Sequence, residues 1–594
     1  MSSRVAYRSA FRLMAVFVWC VLSPLWCGAA ELDPDALFDP GRLLEVEITL
    51  PEEDWDQLRR QTRFRGGFGA MFGSDPADKP FTYFKGDVTI DGVAVGSVGV
   101  RKKGFFGSLD ETRPSLKIKF DKYVDQDPAA GLDKLTLNNN KQDASVLSQL
   151  LAYRVFNDAG VHAPRCSLAL VKVNGRPLGV YSNVESVTAP FLKARFGDDS
   201  GALYEGTVVD FHPRAVEKLE AKTDQENRAD AKRLAELLEG EGGLPVEELS
   251  TLVDIDQFLR FWAVESLLGF WDGYTQDQNN YFVYDDPSDG RYRFIPWGAD
   301  VCFTTGGGPF ARMGGGRHSE AVHAAAMLPN RLYHSDGIPA RYKQAMLNVL
   351  ASAWEEEQLL AEVDRVEQLV DGQLHEDQLA SARSGGWGIQ PLTTDRVREF
   401  IKGRREVVMA ELEDGPVEVA KKPRVPMHTV EVGAASGSFT THWSDDPNAA
   451  QQSDQLKLAL TLNGEEVTLE EAGVVAQPLQ MPRFGPPGPS DGPAPAPPAT
   501  IEVRGRRASD DQRLTLTLVI DRDALAAGKT EPIRVSGSLR EGAGQFGFPG
   551  QMLTGTLTLT SGGTNEGDEI AGAFEAEIVE MRGGMFDGMR GGPR

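Results

Sequence analysis

Hydrophobic and polar residues alternate in three short segments of the N-terminal part of the chain. The segments are 43–50 (LLEVEITL), 84–104 (FKGDVTIDGVAVGSVGVRKKG) and 115–123 (SLKIKFDKY), and glycine or Asp-Gly steps punctuate them. Because successive side chains of a strand point to opposite faces, a period of two predicts half-buried strands. The region from about residue 40 to 125 is therefore predicted to be β-rich.

Helical spacing replaces this alternation in residues 143–160, where apolar residues share one face. Asp143 is the predicted N-cap, and Gly160 stands just past the predicted end. Two alternating runs follow in residues 165–186, with Asn174-Gly175 between them. Asn-Gly is the strongest short-range signal for a hairpin, so these runs predict two antiparallel strands.

Residues from about 213 to 268 and from 339 to 414 again show helical spacing. Strands followed by helices are typical of the α+β class. We predict one α+β domain over residues 31–415, followed by a short linker at 416–426.

A second β-rich domain is predicted over residues 427–581, because clean alternation returns there. It is best seen in the segments 455–464, 513–521, 554–563 and 573–581. We expect these strands to pack as a sandwich. A proline-rich insertion at 482–500 and a glycine-rich tail at 582–594 lack apolar periodicity and are expected to be extended or disordered.

Length and charge narrow the class of protein. A chain of 594 residues exceeds one usual core, which agrees with two or more domains. The net charge of −25 argues against a general nucleic-acid or anionic-membrane binder, because both need clustered Lys and Arg. The oligomeric state does not follow from the sequence.

The first 30 residues have the pattern of a secretory signal peptide: three arginines, an apolar run too short to span a bilayer, and small residues. A lipoprotein signal at Cys20 or Cys27 is the alternative. We expect export to the periplasm, cell surface or medium, with no transmembrane segment elsewhere. Cys166 and Cys302 then remain, as a pair or as two buried thiols.

Asp272, Asn280 and Asp300 are the strongest candidates for chemistry, in the segment 270–300 (FWDGYTQDQNNYFVYDDPSDGRYRFIPWGAD). One predicted hairpin could bring all three to the same edge. Carboxylate and amide oxygens suit Mg²⁺ or Mn²⁺, and a carboxylate free of metal could orient a hydroxyl nucleophile. The structural alternative is that they are ordinary turn and strand-end residues.

Candidate phosphate contacts lie earlier in the chain. The sequence RKKGFFGS places Gly104 and Ser108 in a turn between strands, and Lys117 and Lys119 project from the same face of the next strand. Lysines that alternate with apolar residues are also found on the solvated face of many strands. The common serine-hydrolase, zinc-protease and Walker-type signatures do not occur in the sequence.

The order and wording of these motifs resemble the CotH kinase family over roughly residues 40–412. The resemblance rests on the segments VGVRKKGFFGS, PSLKIKFDKY, LTLNNNKQDASVLSQLLAYRVFNDAGVHAPRCSLALVKVNGRPLGVYSNVES, GFWDGYTQDQNNYFVY, YRFIPWGAD and NRLYHSDGIPARYKQ. It implies an atypical two-lobed protein kinase with a β-rich N-lobe and a mainly helical C-lobe. The implied activity is transfer of the γ-phosphoryl group of ATP to Ser or Thr hydroxyls of secreted, coat or envelope proteins, with Mg²⁺ or Mn²⁺.

The same resemblance implies roles for individual residues. Asp272 would be the catalytic carboxylate that positions the acceptor hydroxyl, while Asn280 and Asp300 would hold the metal. Trp297 is among the aromatics expected to border the nucleotide.

In the N-lobe, the resemblance implies that Gly104 and Ser108 approach the phosphates. A strand lysine, either Lys119 or the favoured Lys117, would contact them, with Glu185 as its acidic partner. Asn138 and Arg165 also match the family's wording, and we interpret them first as loop residues.

One position departs from the family pattern. Many members carry Pro-Trp-Asp-x-Asp in the metal segment, whereas this chain has Gly298 in place of the first aspartate and keeps Asp300. A catalytically inactive surface-binding or adhesion protein is therefore the alternative to a kinase.

Overall fold

The fold is taken from a computed structural model of the chain. It describes residues 32–62, 80–105, 107–240, 242–308, 318–384, 391–413, 415–446, 455–479, 497–528, 530–542 and 551–584. The predicted signal peptide lies outside these residues, as do 482–496 of the predicted insertion and 585–594 of the predicted tail. Among the described residues, no helix has the length and apolar character needed to cross a membrane.

The chain alternates between a β-rich start, a mainly helical middle and a β-rich end, which confirms the α+β class. The strands are β1 (Leu43–Thr49), β2 (Phe84–Ile90), β3 (Val93–Lys103), β4 (Ser115–Lys119), β5 (Lys134–Asn138), β6 (Cys166–Val173), β7 (Arg176–Val184), β8 (Leu203–Gly206), β9 (Glu220–Ala221), β10 (Tyr281–Asp286), β11 (Arg291–Pro296), β12 (His428–His442), β13 (Leu456–Leu462), β14 (Glu465–Glu466), β15 (Leu469–Pro478), β16 (Ala499–Arg507), β17 (Arg513–Ile520), β18 (Ile533–Glu541), β19 (Gln551–Ser561) and β20 (Glu569–Arg582). The α-helices are α1 (Glu52–Arg60), α2 (Ser148–Asp158), α3 (Ala189–Phe196), α4 (Arg228–Glu239), α5 (Val246–Leu249), α6 (Ile255–Leu267), α7 (Tyr274–Asp277), α8 (Met327–Tyr333), α9 (Ile338–Ser352), α10 (Glu356–Val370), α11 (Glu376–Ser384), α12 (Thr394–Glu413) and α13 (Arg522–Ala526).

The first seven strands form a closed barrel in the order β1-β2-β3-β4-β5-β7-β6. Neighbours pair antiparallel except β1 and β6, whose parallel pairing closes the barrel. The inward residues make a core of their own, with Val100, Ile118 and Leu135 fully buried in it. Closure removes the free edges that an open sheet would leave.

The Asn-Gly hairpin is confirmed, with β6 and β7 joined at Asn174-Gly175. Both turn residues have positive φ, +50° and +75°, as this two-residue turn requires. The predicted helix at 143–160 begins later, at Ser148. Asp143 still caps it from a distance, because its carboxylate accepts from the backbone N–H of Ser148 at 2.7 Å.

The helical middle part packs around a second core that contains the buried Trp262 and Trp354. A four-stranded sheet, in the order β11-β10-β8-β9, joins this part. Its β10–β11 hairpin is the one that the sequence predicted within residues 270–300.

The nine C-terminal strands form one continuous sheet, in the order β14-β13-β12-β20-β19-β18-β17-β16-β15. The sheet curls back on itself, because a parallel bridge joins Trp443, just after β12, to Ala476 in β15. Its core residues form one cluster that includes Trp443, Leu516 and Phe574. The predicted strands are present, but two separate sheets of a sandwich are not confirmed.

Arg404 on α12 ties the helical part together. Its guanidinium donates to the carbonyls of Ser266, Leu267 and Glu320 and to the Glu320 carboxylate, at 2.6–2.8 Å. The side chain is buried. It therefore satisfies the carbonyl end of α6, directly before the segment that holds Asp272.

We expect Arg404→Met to lower the free energy of unfolding by about 3–5 kcal/mol, because three buried carbonyls and one carboxylate would lose their donor. Arg341→Met is the matched control. Its ion pair with Asp256 is exposed, so its effect should stay within about 1 kcal/mol. Urea unfolding followed by tryptophan fluorescence measures both, and equal shifts would contradict the prediction.

Candidate active site

The candidate site lies at the end of the β10–β11 hairpin. Asn280 directly precedes β10 and Trp297 directly follows β11, and the Trp297 N–H donates to the Asn280 carbonyl at 3.0 Å. Asp300 comes three residues later. The hairpin thus brings the two polar segments together, as the sequence predicted.

Asp272 and Asn280 are in direct contact. The Asn280 side-chain amide donates to the Asp272 carboxylate at 2.8 Å and to its carbonyl at 2.9 Å. Asn279 donates to the other carboxylate oxygen at 3.1 Å. Burial raises the pKa of Asp272 well above its ordinary value, and the nearby Asp277 carboxylate raises it further. Asp272 is thus a half-buried carboxyl in one defined orientation.

Two buried acids hold the backbone around Asp272, and sequence reasoning did not find either. Glu265 on α6 accepts from the N–H groups of Tyr274 and Thr275, at 3.0 and 2.7 Å. Asp210 accepts from the Tyr274 hydroxyl at 2.8 Å and from the Gln278 amide at 2.9 Å. Only their long-range contacts distinguish them from other acids, so the sequence carried no local signal.

Asp300 is fixed by α2. The Ser148 hydroxyl donates to the Ala299 carbonyl at 2.8 Å and accepts from the Cys302 N–H at 2.9 Å. These two bonds bracket Asp300. Burial raises the pKa of Asp300 to about 6, whereas the Lys103 ammonium lowers it. Burial raises the pKa of the nearby Asp143 carboxyl to about 6, and the negative charge of Asp300 adds to this rise.

The glycine at position 298 has a structural reason. Its φ is +55°, and a Cβ there would lie 2.4 Å from the Asn280 Oδ1 atom. Asn280 itself has a φ of +54°. The Asn280 side chain therefore occupies the space in which an aspartate at position 298 would begin, so the departure from the family pattern and the Asn280–Asp272 contact go together.

Lys103 lies near this group of residues, and the sequence did not single it out. Its Nζ donates to the Asn138 side-chain oxygen and lies 5.7 Å from the Trp297 ring centroid. Asn138, at the end of β5, in turn donates to Gln149 at 2.7 Å. Lys103 alternates along β3 with buried residues, which a strand-face argument could have used.

Lys117, the lysine that the sequence resemblance favoured, lies on the same face of the barrel as Lys103. It belongs to the next cross-strand pair of β3 and β4 on that face. It pairs with Arg101 across β3, whereas Lys103 pairs with Ser115. Burial lowers the pKa of Lys117 well below its ordinary value, and the charges of Arg101 and Lys103 lower it further. Lys119 lies one cross-strand pair further along, opposite Gly99. Its Nζ is 3.4 Å from the Asp121 carboxylate, so Lys119 forms an ion pair with Asp121.

Glu185 does not pair with a strand lysine, which corrects that prediction. Its carboxylate accepts from the Arg165 guanidinium at 2.8 Å and from the Arg165 N–H at 3.0 Å, and lies 3.6 Å from Arg195. These two arginines and β7 hold it at the end of the hairpin. Arg165 is thus an ion-pair partner rather than only a loop residue.

The turn with Gly104 and Ser108 is held from within. The Ser108 hydroxyl accepts from the Phe105 N–H at 3.0 Å and donates to the Phe105 carbonyl at 3.2 Å. Gly104 has a φ of +128°, and a Cβ there would lie 3.0 Å from the Ser108 hydroxyl. The Ser108 carbonyl accepts from Asn139. The turn follows directly on Lys103.

The glycine-rich stretch after the metal segment approaches the catalytic candidate. A Cβ at Gly308, whose φ is +80°, would lie 2.3 Å from the Trp271 ring. Only a glycine allows this approach beside Asp272. Residues 309–317, which continue this glycine-rich stretch, lie outside the described part of the chain.

The side chains present suit a divalent cation shared with phosphates. Asn280 and Asp300 offer hard oxygen ligands. Burial raises the pKa of Asp272, and the negative charge of Asp300 contributes to the same rise, so negative charge is concentrated here. Within the described ranges, no group of three or more His, Cys, Asp or Glu is placed to hold a metal alone. Mg²⁺ is commonly bound by one or two carboxylates and completed by nucleotide phosphates, so this donor set fits.

We expect Gly298→Ala to destabilise the protein more than Gly290→Ala. Both glycines have positive φ, but a Cβ at 290 meets nothing within 4 Å. The control should therefore show only backbone strain, about 1–2 kcal/mol, whereas Gly298→Ala should cost at least about 1 kcal/mol more because Asn280 must move. Chemical denaturation measures the free energy of unfolding of both variants. A smaller loss of stability in Gly298→Ala than in Gly290→Ala would contradict the prediction.

We also expect Glu265 to make stability pH-dependent. Burial raises its pKa to about 7 in the folded protein, above about 4.3 in an unfolded chain. The neutral form is therefore favoured by folding, and its stabilising contribution is lost as the pH rises through 7. Relative to Glu265→Gln, the wild type should lose about 3 kcal/mol between pH 4.5 and pH 8. A constant difference between the two proteins would rule this out.

The comparisons with known proteins agree with the sequence resemblance. Inner spore coat protein H of Bacillus subtilis (strain 168) is 27% identical over 185 residues, which are 29% of this chain and 50% of that protein. Invasin CotH7 of Rhizopus delemar is 25% identical over 165 residues, 26% of this chain and 28% of the relative. The chain thus spans half or less of the length of these curated relatives.

Among solved structures, the proinflammatory kinase CtkA of Helicobacter pylori matches 50% of this chain and 91% of its own, with 9% identity and a TM-score of 0.25. A likeness at that score carries no structural argument. The sequence model of the CotH kinase protein family matches residues 100–408, which include Asp272, Asn280 and Asp300. Because this match covers more than half of the 594 residues, the chain belongs to the CotH kinase family.

Proposed function

We propose that this protein is an exported protein kinase that transfers the γ-phosphoryl group of ATP to Ser or Thr hydroxyls of secreted, coat or envelope proteins. The observation that carries the proposal is the contact of Asp272 with Asn280, beside Asp300 and Lys103. The family supports ATP and a divalent metal in general terms. The names of the relatives, a spore coat protein and invasins, support action at a surface.

Asp272 is the residue that would orient the acceptor hydroxyl. Its carboxyl is half-buried, and two amides fix its direction, so little reorganisation is needed when a hydroxyl arrives. Phosphoryl transfer depends mainly on alignment and on neutralising charge at the phosphate oxygens. A carboxyl held in this way provides the alignment.

Asn280 and Asp300 would hold the divalent cation. When bound, the cation neutralises charge on the phosphate oxygens of ATP. Ser148 keeps Asp300 in place through the backbone on both sides, and Asp272 keeps Asn280 in place through its amide. These contacts use the backbone beside Asp300 and the amide nitrogen of Asn280. The side-chain oxygens of both residues can therefore bind the cation.

Lys103 is the better candidate for the phosphate contact than Lys117. The Lys103 ammonium lowers the pKa of Asp300, and its Nζ lies over the Trp297 ring. Lys117 belongs to the next cross-strand pair, where neighbouring cations and burial favour its neutral form. We therefore propose that Lys103 and the Gly104–Ser108 turn face the phosphates, with Trp297 beside the nucleotide.

On this proposal the barrel is the N-lobe and the helical part is the C-lobe, because the two have separate cores. The nucleotide would lie where Lys103 of β3 meets the β10–β11 hairpin. The C-terminal sheet stays an accessory domain in this scheme.

A catalytically silent surface-binding protein is the second candidate. Gly298, which stands where many members have an aspartate, favours it. Relatives that are named invasins favour it as well. On this reading Asp272 and Asn280 would be structural, and binding to a surface would not depend on the Asp272 carboxylate.

The decisive experiment incubates the protein without residues 1–30 with γ-labelled ATP, Mg²⁺ or Mn²⁺, and a Ser-rich acceptor protein. Asp272→Asn should lower kcat at least about 100-fold while nucleotide binding persists, because it removes only the orienting carboxylate. Asp300→Asn should abolish metal-dependent turnover. Lys103→Met should lower kcat/KM for ATP more than Lys117→Met does.

Lys119→Ala is the matched control, because Lys119 pairs with Asp121 away from the site. It should retain the wild-type rate. Label in the wild type but not in the two aspartate variants would establish a kinase. If no sample incorporates label although a fluorescent ATP analogue binds, the surface-binding reading takes its place.

A further inference from the structure

The segment that leads from α12 into the C-terminal sheet is bound along the helical part. The Val417 N–H donates to the Tyr333 hydroxyl at 3.0 Å, and the Asn330 amide donates to the Ala420 carbonyl at 2.8 Å. The Arg424 N–H then donates to the Ala325 carbonyl at 2.7 Å. Because of these hydrogen bonds, the segment is not a free linker. It lies beyond residue 408, where the family match ends.

Arg424 reaches the turn that follows Asp272. Its guanidinium donates to the Asp277 carboxylate at 2.8 Å and to the Gln276 carbonyl at 2.9 Å. Its own carbonyl accepts from the Gln278 amide at 2.8 Å. One residue thus binds three consecutive residues at the end of α7.

The turn that Arg424 binds leads directly to the catalytic candidate. Asn279 and Asn280 follow Gln278, and their side-chain amides donate to the Asp272 carboxyl at 3.1 and 2.8 Å. Burial raises the pKa of Asp277, and the charge of Arg424 lowers it. Through Asp277, Arg424 therefore holds the turn that leads into both amide donors of Asp272.

The far end of the segment is held by the C-terminal sheet. Met427 packs against Met552 and Met581, and the Val425 carbonyl accepts from the Gly584 N–H at 2.7 Å. Next along the chain, the His428 ring stacks on His212 of the helical part, with centroids 6.1 Å apart. Arg424 thus lies just before the contacts that join the two parts of the protein.

We propose that Arg424 is a positioning residue for Asp272, acting through Asp277, so that the segment entering the C-terminal domain is part of the support of the active site. The inference rests on the proposed kinase function. Without the arginine, the half-buried Asp277 carboxylate would lose its positive partner in this contact, and the turn 276–278 would shift. Asn279 and Asn280, which follow this turn and set the direction of Asp272, would then be displaced, and small misplacements of a catalytic group cost large factors in rate.

The alternative is that Arg424 only stabilises the docked segment. A purely structural role would lower the melting temperature and would not depend on Asp277. The test must therefore separate effects on turnover from effects on folding and show whether the two residues act together.

The experiment uses the full mature chain with Arg424→Gln, Arg424→Lys, Asp277→Asn and the Arg424→Gln/Asp277→Asn double variant. We expect Arg424→Gln to lower kcat at least 10-fold with KM for ATP within about twofold of the wild type. Arg424→Lys should recover part of kcat, because a lysine can still pair with Asp277. In the Asp277→Asn background, Arg424→Gln should change kcat by no more than about twofold.

Arg331→Gln is the matched control, because that arginine also binds backbone carbonyls, those of Gly240 and Gly242, but does not contact the Asp272 turn. Its kcat should equal that of the wild type. Melting temperatures and binding of a fluorescent ATP analogue are measured for every variant. If Arg424→Gln does not fold, the comparison of Arg424→Lys with Asp277→Asn provides the test.

Three results would overturn the inference while leaving the kinase intact. These are an unchanged kcat in Arg424→Gln, an equal loss with and without Asp277, and a crystal structure of Arg424→Gln in which the Asp272 carboxyl keeps both amide contacts. An inactive wild type would instead contradict the proposed function, and the crystal structure would then still decide whether Arg424 positions Asp272.

Discussion

A half-buried carboxyl is stable in one orientation only when donors and a countercharge lie near it, and Asp272 depends on this condition. Asn279 and Asn280 supply the donors, and Arg424 pairs with Asp277 in the turn that leads to them. Desolvation alone would leave the side chain without a fixed direction. These contacts give the carboxyl one defined orientation, and the other features of the site follow from keeping them in place.

The backbone next to Asp272 is fixed by the same physical means. Glu265 and Asp210 are buried acids whose oxygens accept from the turn 274–278. Each satisfies backbone or side-chain donors that would otherwise be unpaired in the interior. Arg404 fulfils the opposite need at the end of α6, where carbonyls lack donors. Two carboxylates thus accept hydrogen bonds from the turn, and the Arg404 guanidinium donates hydrogen bonds to the end of the helix that precedes it.

The site also joins parts of the chain that have separate cores. Lys103 comes from the barrel, whereas Asp300 follows the hairpin of the helical part and is bracketed by Ser148 of α2. Gly298 allows Asn280 to reach Asp272, so a position that looks like a lost ligand also has a packing role. The absence of a carboxylate at position 298 therefore agrees with a lost metal ligand and with the packing of Asn280. A measurement of turnover separates these two explanations.

The sequence by itself determined the α+β class, the Asn-Gly hairpin and the membership of the family, because strand and helix periods and motif wording are local properties. It also predicted that Asp272, Asn280 and Asp300 would meet at one hairpin. Tertiary structure alone decided the barrel closure, the placement of Lys103 near Asp300 and Trp297, and the pairing of Glu185 with arginines. It also decided the contacts that Glu265 and Arg424 make with the turn after Asp272. Each of these depends on which distant residues share a buried space, and burial and charge pairing between residues far apart in the chain leave no periodic or local trace in the sequence.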